Sequence, residues 1–251
     1  MTYGWRAKVG IIVPSGNSVS EPQFRMMAPP GVEFFAARLR LEREGADRYL
    51  KMAEGIEDAA GLLADLRPSF ILFHCTAVSV AGGVGFDDQI AARIERSTGY
   101  PGGATVSGVV QALHALDARR IALITPYAAS TNALEVAFLE GHGFEVTTNV
   151  ALDTLRERRQ QEPGEWYRIV REHYTAEADA VFLSCTAVRT IEVIDWLEQD
   201  LGVPVVTSNQ GALWYVLRRL GIRDRVEGYG RLLREYPELP ASAQLVPSLT
   251  A

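Results

Sequence analysis

Cysteine is nearly absent from this chain: 251 residues contain two. No apolar stretch approaches the roughly 20 residues needed to span a bilayer, so no membrane segment is expected. No stripe of Lys and Arg marks a phosphate-binding face, and the net charge is −6, which argues against nucleic acid as a partner. The densest basic patch, Arg156 with Arg158 and Arg159, is interrupted by Glu157. The opening MTYGWRAKVGIIVP lacks the charged, apolar and small-residue order of a secretory signal. Two cysteines without an export signal predict reduced thiols and a cytoplasmic protein. The four histidines, His74, His114, His142 and His173, show no ligand spacing with the cysteines, so no metal is expected. AGGVGFDD (81–88) matches a dinucleotide fingerprint only loosely and follows no first strand, so no cofactor is expected either. Its Asp87 and Asp88 are instead expected to cap the helix DDQIAARIERS.

What the chain does have is apolar material and alternation. Hydrophobic residues make up 47%, enough to bury a proper core. Runs reading as strands lie at 7–13, 32–40, 69–75 and 103–106, then at 121–125, 144–150, 180–185 and 204–208. Several are continuously apolar, as parallel strands covered on both faces are. Helical spacing fills the gaps, clearest over 49–66 and 190–201. The pattern predicts an α/β protein with a mainly parallel sheet.

The two halves repeat. KVGIIVPSGNS from Lys8 aligns with RIALITPYAAS from Arg120, and HCTAV around Cys75 aligns with SCTAV around Cys185. ATVSGVVQAL after the fourth strand resembles VVTSNQGAL after Pro204. Two four-strand lobes about a pseudo-twofold axis fit this repeat, and so does a single (β/α)₈ barrel. In both, ligands bind beside the carboxyl ends of strands, where Cys75 and Cys185 fall.

A thiol at a buried strand end, just before a helix, lies near backbone N–H groups that favour the thiolate. A lone buried cysteine is commonly a small hydrophobe. Two at equivalent positions of a repeat, with none elsewhere, point to catalysis. One thiol can act on carbon as base or nucleophile while the other delivers a proton to the opposite face. His74, next to Cys75, points to the other face of an extended strand and is expected to be structural. In the loop PSGNS, Ser15 and Asn17 are candidate donors to a carboxylate; Tyr127 offers a phenol at the matching place in the second half. Thr76 and Thr186 are further candidate donors.

These residues resemble the aspartate/glutamate racemase superfamily, in its branch of maleate cis-trans isomerases and arylmalonate decarboxylases. The resemblance rests on VPSGNSVSEP (13–22), HCTA, GVGFD (84–88), TPY (125–127) and LSCTA, and covers nearly the whole chain. It implies two similar Rossmann-like lobes with parallel four-stranded sheets related by pseudo-twofold symmetry and an active site in the cleft between them. The lobes are expected at 1–108, completed by residues 210–251, and at 109–209. Cys75 is implied as the nucleophile that adds to a double bond, Cys185 as the proton carrier, and Asn17 and Tyr127 as substrate ligands. The implied substrate is a small carboxylate, with a homodimer or larger assembly. Retention of both thiols argues against an arylmalonate decarboxylase but equally fits a racemase or epimerase. One departure concerns the segment after the sixth strand, where maleate isomerases carry an Asn. Here ALDTLRERRQQEP has none: Arg156, Glu157, Arg158 and Arg159 form a solvated loop, or an Arg replaces the Asn, or the substrate is not maleate. A non-catalytic binding protein is the reading from another class, and it leaves both cysteines without a role. The Pro- and Ser-containing tail from Tyr236 is expected to be extended and to pack on a lobe or a neighbour.

Overall fold

Among the described residues, eight strands form where the apolar runs lie: β1 (Ala7–Pro14), β2 (Val32–Leu39), β3 (Phe70–Phe73), β4 (Gly102–Ala104), β5 (Arg120–Thr125), β6 (Glu145–Ala151), β7 (Ala180–Leu183) and β8 (Val205–Thr207). The structure is a computed structural model that describes residues 2–41, 45–154 and 162–240. Strand pairing is parallel throughout, in two separate sheets ordered β2-β1-β3-β4 and β6-β5-β7-β8. Two open sheets exclude the barrel. The central strands are buried on both faces: every residue of β3 and β7 is buried, and in β1 only Lys8 is not. This is why their sequences are continuous apolar runs rather than alternating ones.

The register makes the repeat concrete. Val9 pairs with Phe70 and Ile12 with Phe73; Ile121 pairs with Ala180 and Ile124 with Leu183. Cys75 and Cys185 therefore each lie two residues beyond equivalent strand ends.

Helices connect the strands: α1 (Ser20–Met27), α2 (Ala46–Ala53), α3 (Ile56–Ala64), α4 (Thr76–Ala81), α5 (Phe86–Thr98), α6 (Thr105–Ala115), α7 (Ala129–Gly141), α8 (Pro163–His173), α9 (Ile194–Leu201), α10 (Ser208–Arg219) and α11 (Gly230–Glu235). The single helix expected over 49–66 is two, broken at Gly55, where an added Cβ would lie 2.8 Å from Leu39. The helix expected over 190–201 starts as a 3₁₀ turn, Ile191–Val193, before α9. The strand expected over 103–106 ends at Ala104, because Thr105 already begins α6. Asp87 and Asp88 do not cap α5. The helix starts one residue earlier at Phe86 behind Gly85, whose φ is +83°, and no side chain caps it. Asp87 instead accepts the Ser107 hydroxyl at 2.7 Å.

The helices following β4 and β8 join the two halves. α10 is buried from Ser208 to Arg218 and packs on α6 and α1 of the first half. The crossing is close: an added Cβ at Gly108 would meet Tyr215 Cβ at 2.9 Å and the Gly211 carbonyl at 3.0 Å. Two glycines at matching places of the repeat thus let these backbones touch, which brings both helix starts to the middle of the molecule. The described part of the C-terminal segment is tied to the same helix, since the Tyr236 carbonyl accepts Trp214 Nε1 at 2.7 Å and Arg218 Nε at 3.0 Å. Residues 241–251 lie outside the described residues, as do 155–161 with Arg156, Glu157, Arg158 and Arg159. Among the described residues no helix is long and apolar enough to cross a membrane.

Candidate active site

The two cysteine loops open onto one cavity. It is lined by Pro14, Asn17, Leu41, Tyr49, Cys75, Ala77, Tyr127, Cys185, Thr186 and Ala187. The space it encloses is small, about 30 Å³. Neither cysteine is in a disulfide, and each is 5% exposed. Among the described residues, no charged side chain belongs to this wall, and no three His, Cys, Asp or Glu side chains are grouped to hold a metal ion.

Each cysteine has a different backbone. Cys75 is extended, with φ −155° and ψ 107°, and stands at the N-cap of α4; its carbonyl accepts the Ser79 N–H and hydroxyl. Cys185 has a φ of +107°, a conformation that crowds a β-carbon and that L-residues rarely adopt. Its sulfur accepts the Ala187 N–H at 3.4 Å, and its own N–H donates to Ser208 Oγ at 3.0 Å.

Asn17 is placed by its loop. Arg38 donates to the Asn17 carbonyl at 2.7 Å and pairs with Glu21, which clamps the β1–α1 connection. The Asn17 side chain is 2% exposed; its oxygen accepts the N–H groups of Val19 and Ser20. Its amide donates to Ser20 Oγ at 2.8 Å and to Thr186 Oγ1 at 3.1 Å, joining the β1 loop to the Cys185 loop. Thr186 is on the cavity wall with that hydroxyl engaged. Thr76 is fully buried, and its hydroxyl donates to Ser208 at 2.9 Å rather than facing the cavity. Ser15 is exposed and outside the lining residues; its Oγ accepts the Leu41 N–H at 3.4 Å.

Tyr127 lies on the wall, 2% exposed, and its pKa is pushed well above the usual phenol value. Burial is the main cause, followed by the nearby Cys185, Glu135, Cys75 and Tyr49. The phenol therefore stays a neutral donor beside both thiols. Behind the wall sit two more buried groups held neutral. His74 is fully buried, its ring nitrogens bonded to Thr105 Oγ1 and Asn209 Oδ1 at 2.8 Å each, and desolvation lowers its pKa to about 4. At the matching position Ser184 donates to Glu135 Oε1 at 2.5 Å, and burial raises the Glu135 pKa to about 8. His74 is thus a packed structural group away from the cavity.

Sequence reasoning missed Leu41, just after β2, and Tyr49, on α2, and it missed Ser208 and Glu135 behind the cysteine loops. Tyr49 reads only as an aromatic on an amphipathic helix. Ser208 does fall in the repeated phrase after the fourth strand of each half, which is the one signal that marked it.

Known proteins are similar to this chain over most of its length. The family model described as arylmalonate decarboxylase matches residues 9–233. A maleate isomerase of Nocardia farcinica is 28% identical over 247 residues, covering 94% of this chain and 98% of the relative. An arylmalonate decarboxylase of Bordetella bronchiseptica is 26% identical over 232 residues, covering 90% of this chain and 96% of the relative. The solved structure of a cysteine-to-serine variant of the Nocardia farcinica maleate cis-trans isomerase, with a covalently bound succinylcysteine intermediate, superposes with a TM-score of 0.85. That pair is 25% identical and covers 90% of this chain and 98% of the other. With a family match that spans both sheets and both cysteines, the chain belongs to the arylmalonate decarboxylase family, in the branch that holds maleate isomerases and arylmalonate decarboxylases.

Proposed function

We propose that this chain is a cofactor-independent cis-trans isomerase of maleate or a related small carboxylic acid. The observation that carries the reading is one cavity holding two buried thiols and a neutral phenol. Cys75, as thiolate, adds to one alkene carbon. The electron pair moves into the adjacent carboxylate as an enediolate, which Tyr127 stabilises by donating a hydrogen bond in a low-dielectric site. Cys185 delivers its proton to the second carbon, giving a succinyl thioether on Cys75. Rotation about the new single bond follows. Cys185 then recovers a proton, the carbon–sulfur bond breaks, and the trans acid leaves with the Cys75 thiolate regenerated. The covalent succinylcysteine seen in the Nocardia farcinica relative supports such an intermediate by analogy.

An anionic substrate also suits the approach. Arg40, Arg48 and Lys51 are exposed around a separate surface depression and are sequence neighbours of the cavity residues Leu41 and Tyr49; basic charge on this side of the molecule raises the encounter rate with anions.

The test is proton NMR of the purified protein with maleate in deuterated water. Accumulating fumarate supports the isomerase. A second reading rests on the same two thiols, which also suit removal and return of a proton on opposite faces of one carbon. Absence of fumarate, with deuterium entering an amino acid or hydantoin, establishes a racemase or epimerase; carbon dioxide from a substituted malonate establishes a decarboxylase. Binding without turnover of any of these refutes the enzymatic reading.

A further inference from the structure

The two thiol loops meet at one hydroxyl. Ser208 Oγ accepts the Cys185 N–H at 3.0 Å and the hydroxyl of Thr76, the neighbour of Cys75, at 2.9 Å. Ser208 is fully buried and opens α10, a helix covered on all sides and started by a capping box between Thr207 and Gln210. Its hydroxyl is thus fixed to one of the most constrained parts of the molecule. The matching residue of the first half, Thr105, does different work, bonding His74 at 2.8 Å and the Phe73 carbonyl at 3.2 Å. The backbones differ in step: Cys185, held by Ser208, is left-handed, and Cys75 is extended. A left-handed non-glycine residue persists only where its surroundings over-determine it, and the Ser208 hydrogen bond is the direct restraint on the Cys185 amide.

We propose that Ser208 is a positioning residue for the two-thiol reaction: its hydroxyl holds the Cys185 loop in its left-handed form and ties it to the Cys75 loop, setting how the thiols face each other across the cavity. The proposal rests on the two-thiol reading above. Without the hydroxyl, the Cys185 amide and the Thr76 hydroxyl lose a buried partner together. The loop then relaxes toward negative φ, which swings the Cys185 sulfur away from the carbon it protonates. Ligands on the wall such as Tyr127 stay in place, so binding changes less than turnover. A misplacement near 1 Å costs on the order of 100-fold in rate.

The experiment compares Ser208→Ala and Ser208→Thr in the full chain. Steady-state kinetics with maleate are measured, together with the pH dependence of iodoacetamide alkylation of Cys185 in a Cys75→Ser background. Ser208→Ala is expected to lower kcat about 100-fold with KM little changed, and to shift the alkylation midpoint. Ser208→Thr is expected to recover most of kcat. A kcat within twofold of the parent with an unmoved alkylation profile overturns the proposal, as does a loss that Ser208→Thr does not rescue. Where Ser208→Ala fails to fold, Thr76→Val breaks only the bridge to the Cys75 loop; a fall in kcat at constant KM supports the assignment, and unchanged kcat overturns it. If the parent protein does not convert maleate, the isomerase reading fails on its own, and the alkylation profile of Ser208→Ala alone decides the role of Ser208.

Discussion

The carboxyl of Glu135 titrates at about 8 in the folded protein, against 4.5 in solvent, because it is fully buried. Between those values the unfolded chain has released a proton that the folded chain keeps, so stability is full below pH 4.5 and falls as pH rises toward 8. The span of about 3.5 pH units, at about 1.36 kcal/mol each, sets an upper bound of about 5 kcal/mol on that loss. Glu135→Gln removes it. Glutamine keeps an oxygen for the Ser184 hydroxyl but places an amide NH₂ where Oε2 is buried with no hydrogen-bond partner among the described residues, which costs about 1–3 kcal/mol. The variant is therefore expected to be less stable than the parent at pH 4.5 and more stable, by at most about 2–4 kcal/mol, at pH 8. The curves cross near pH 6. Urea denaturation followed by tryptophan fluorescence, run at half-unit steps from pH 4.5 to 8.5, reads this directly. A difference between the two proteins that stays constant across that range refutes a neutral buried carboxyl at Glu135.

Cys75→Ala and Cys185→Ala are each expected to lower maleate turnover by at least about 1,000-fold while circular dichroism stays that of the parent; retention of activity in either sinks the two-thiol mechanism. Tyr127→Phe removes the phenol donor on the cavity wall and is expected to lower kcat about 100-fold, with a smaller change in KM; equal loss in binding and turnover assigns the phenol to ground-state contact instead. Gly108→Ala drives a methyl to 2.9 Å from Tyr215 and 3.0 Å from the Gly211 carbonyl, and a loss of about 1–3 kcal/mol is expected in the same denaturation assay. An unchanged midpoint there means the α6–α10 crossing has slack.

Much of this architecture was legible because burial on both faces leaves a strong trace. A continuous apolar run such as VGIIVP can belong only to a covered element, and its recurrence after Arg120 announced two halves. The thiols were legible for a similar reason, since two rare residues stood at equivalent ends of such runs. The break at Gly55 was not, because it depends on Leu39, which comes from another strand. The start of α5 was not legible, because Phe86 packs over Gly82, where a Cβ would lie 2.1 Å from its ring, and the helix begins behind Gly85 at a positive φ with no side-chain cap. Tyr49 and Leu41 reach the cavity through tertiary packing that leaves no local mark. In sequence Thr76 reads as a substrate donor because it follows Cys75; only the arrival of Ser208, from 132 residues away, shows where its hydroxyl goes.

The unequal backbones of Cys75 and Cys185 have a consequence for stereochemical bookkeeping. Maleate, the substrate proposed above, is twofold symmetric, and a site with true twofold symmetry would offer it two equivalent poses, in which either sulfur could begin the addition. The left-handed twist at one cysteine alone removes that degeneracy. The two carbons of a symmetric alkene then become distinguishable on binding, and a duplicated scaffold acquires a first sulfur and a second.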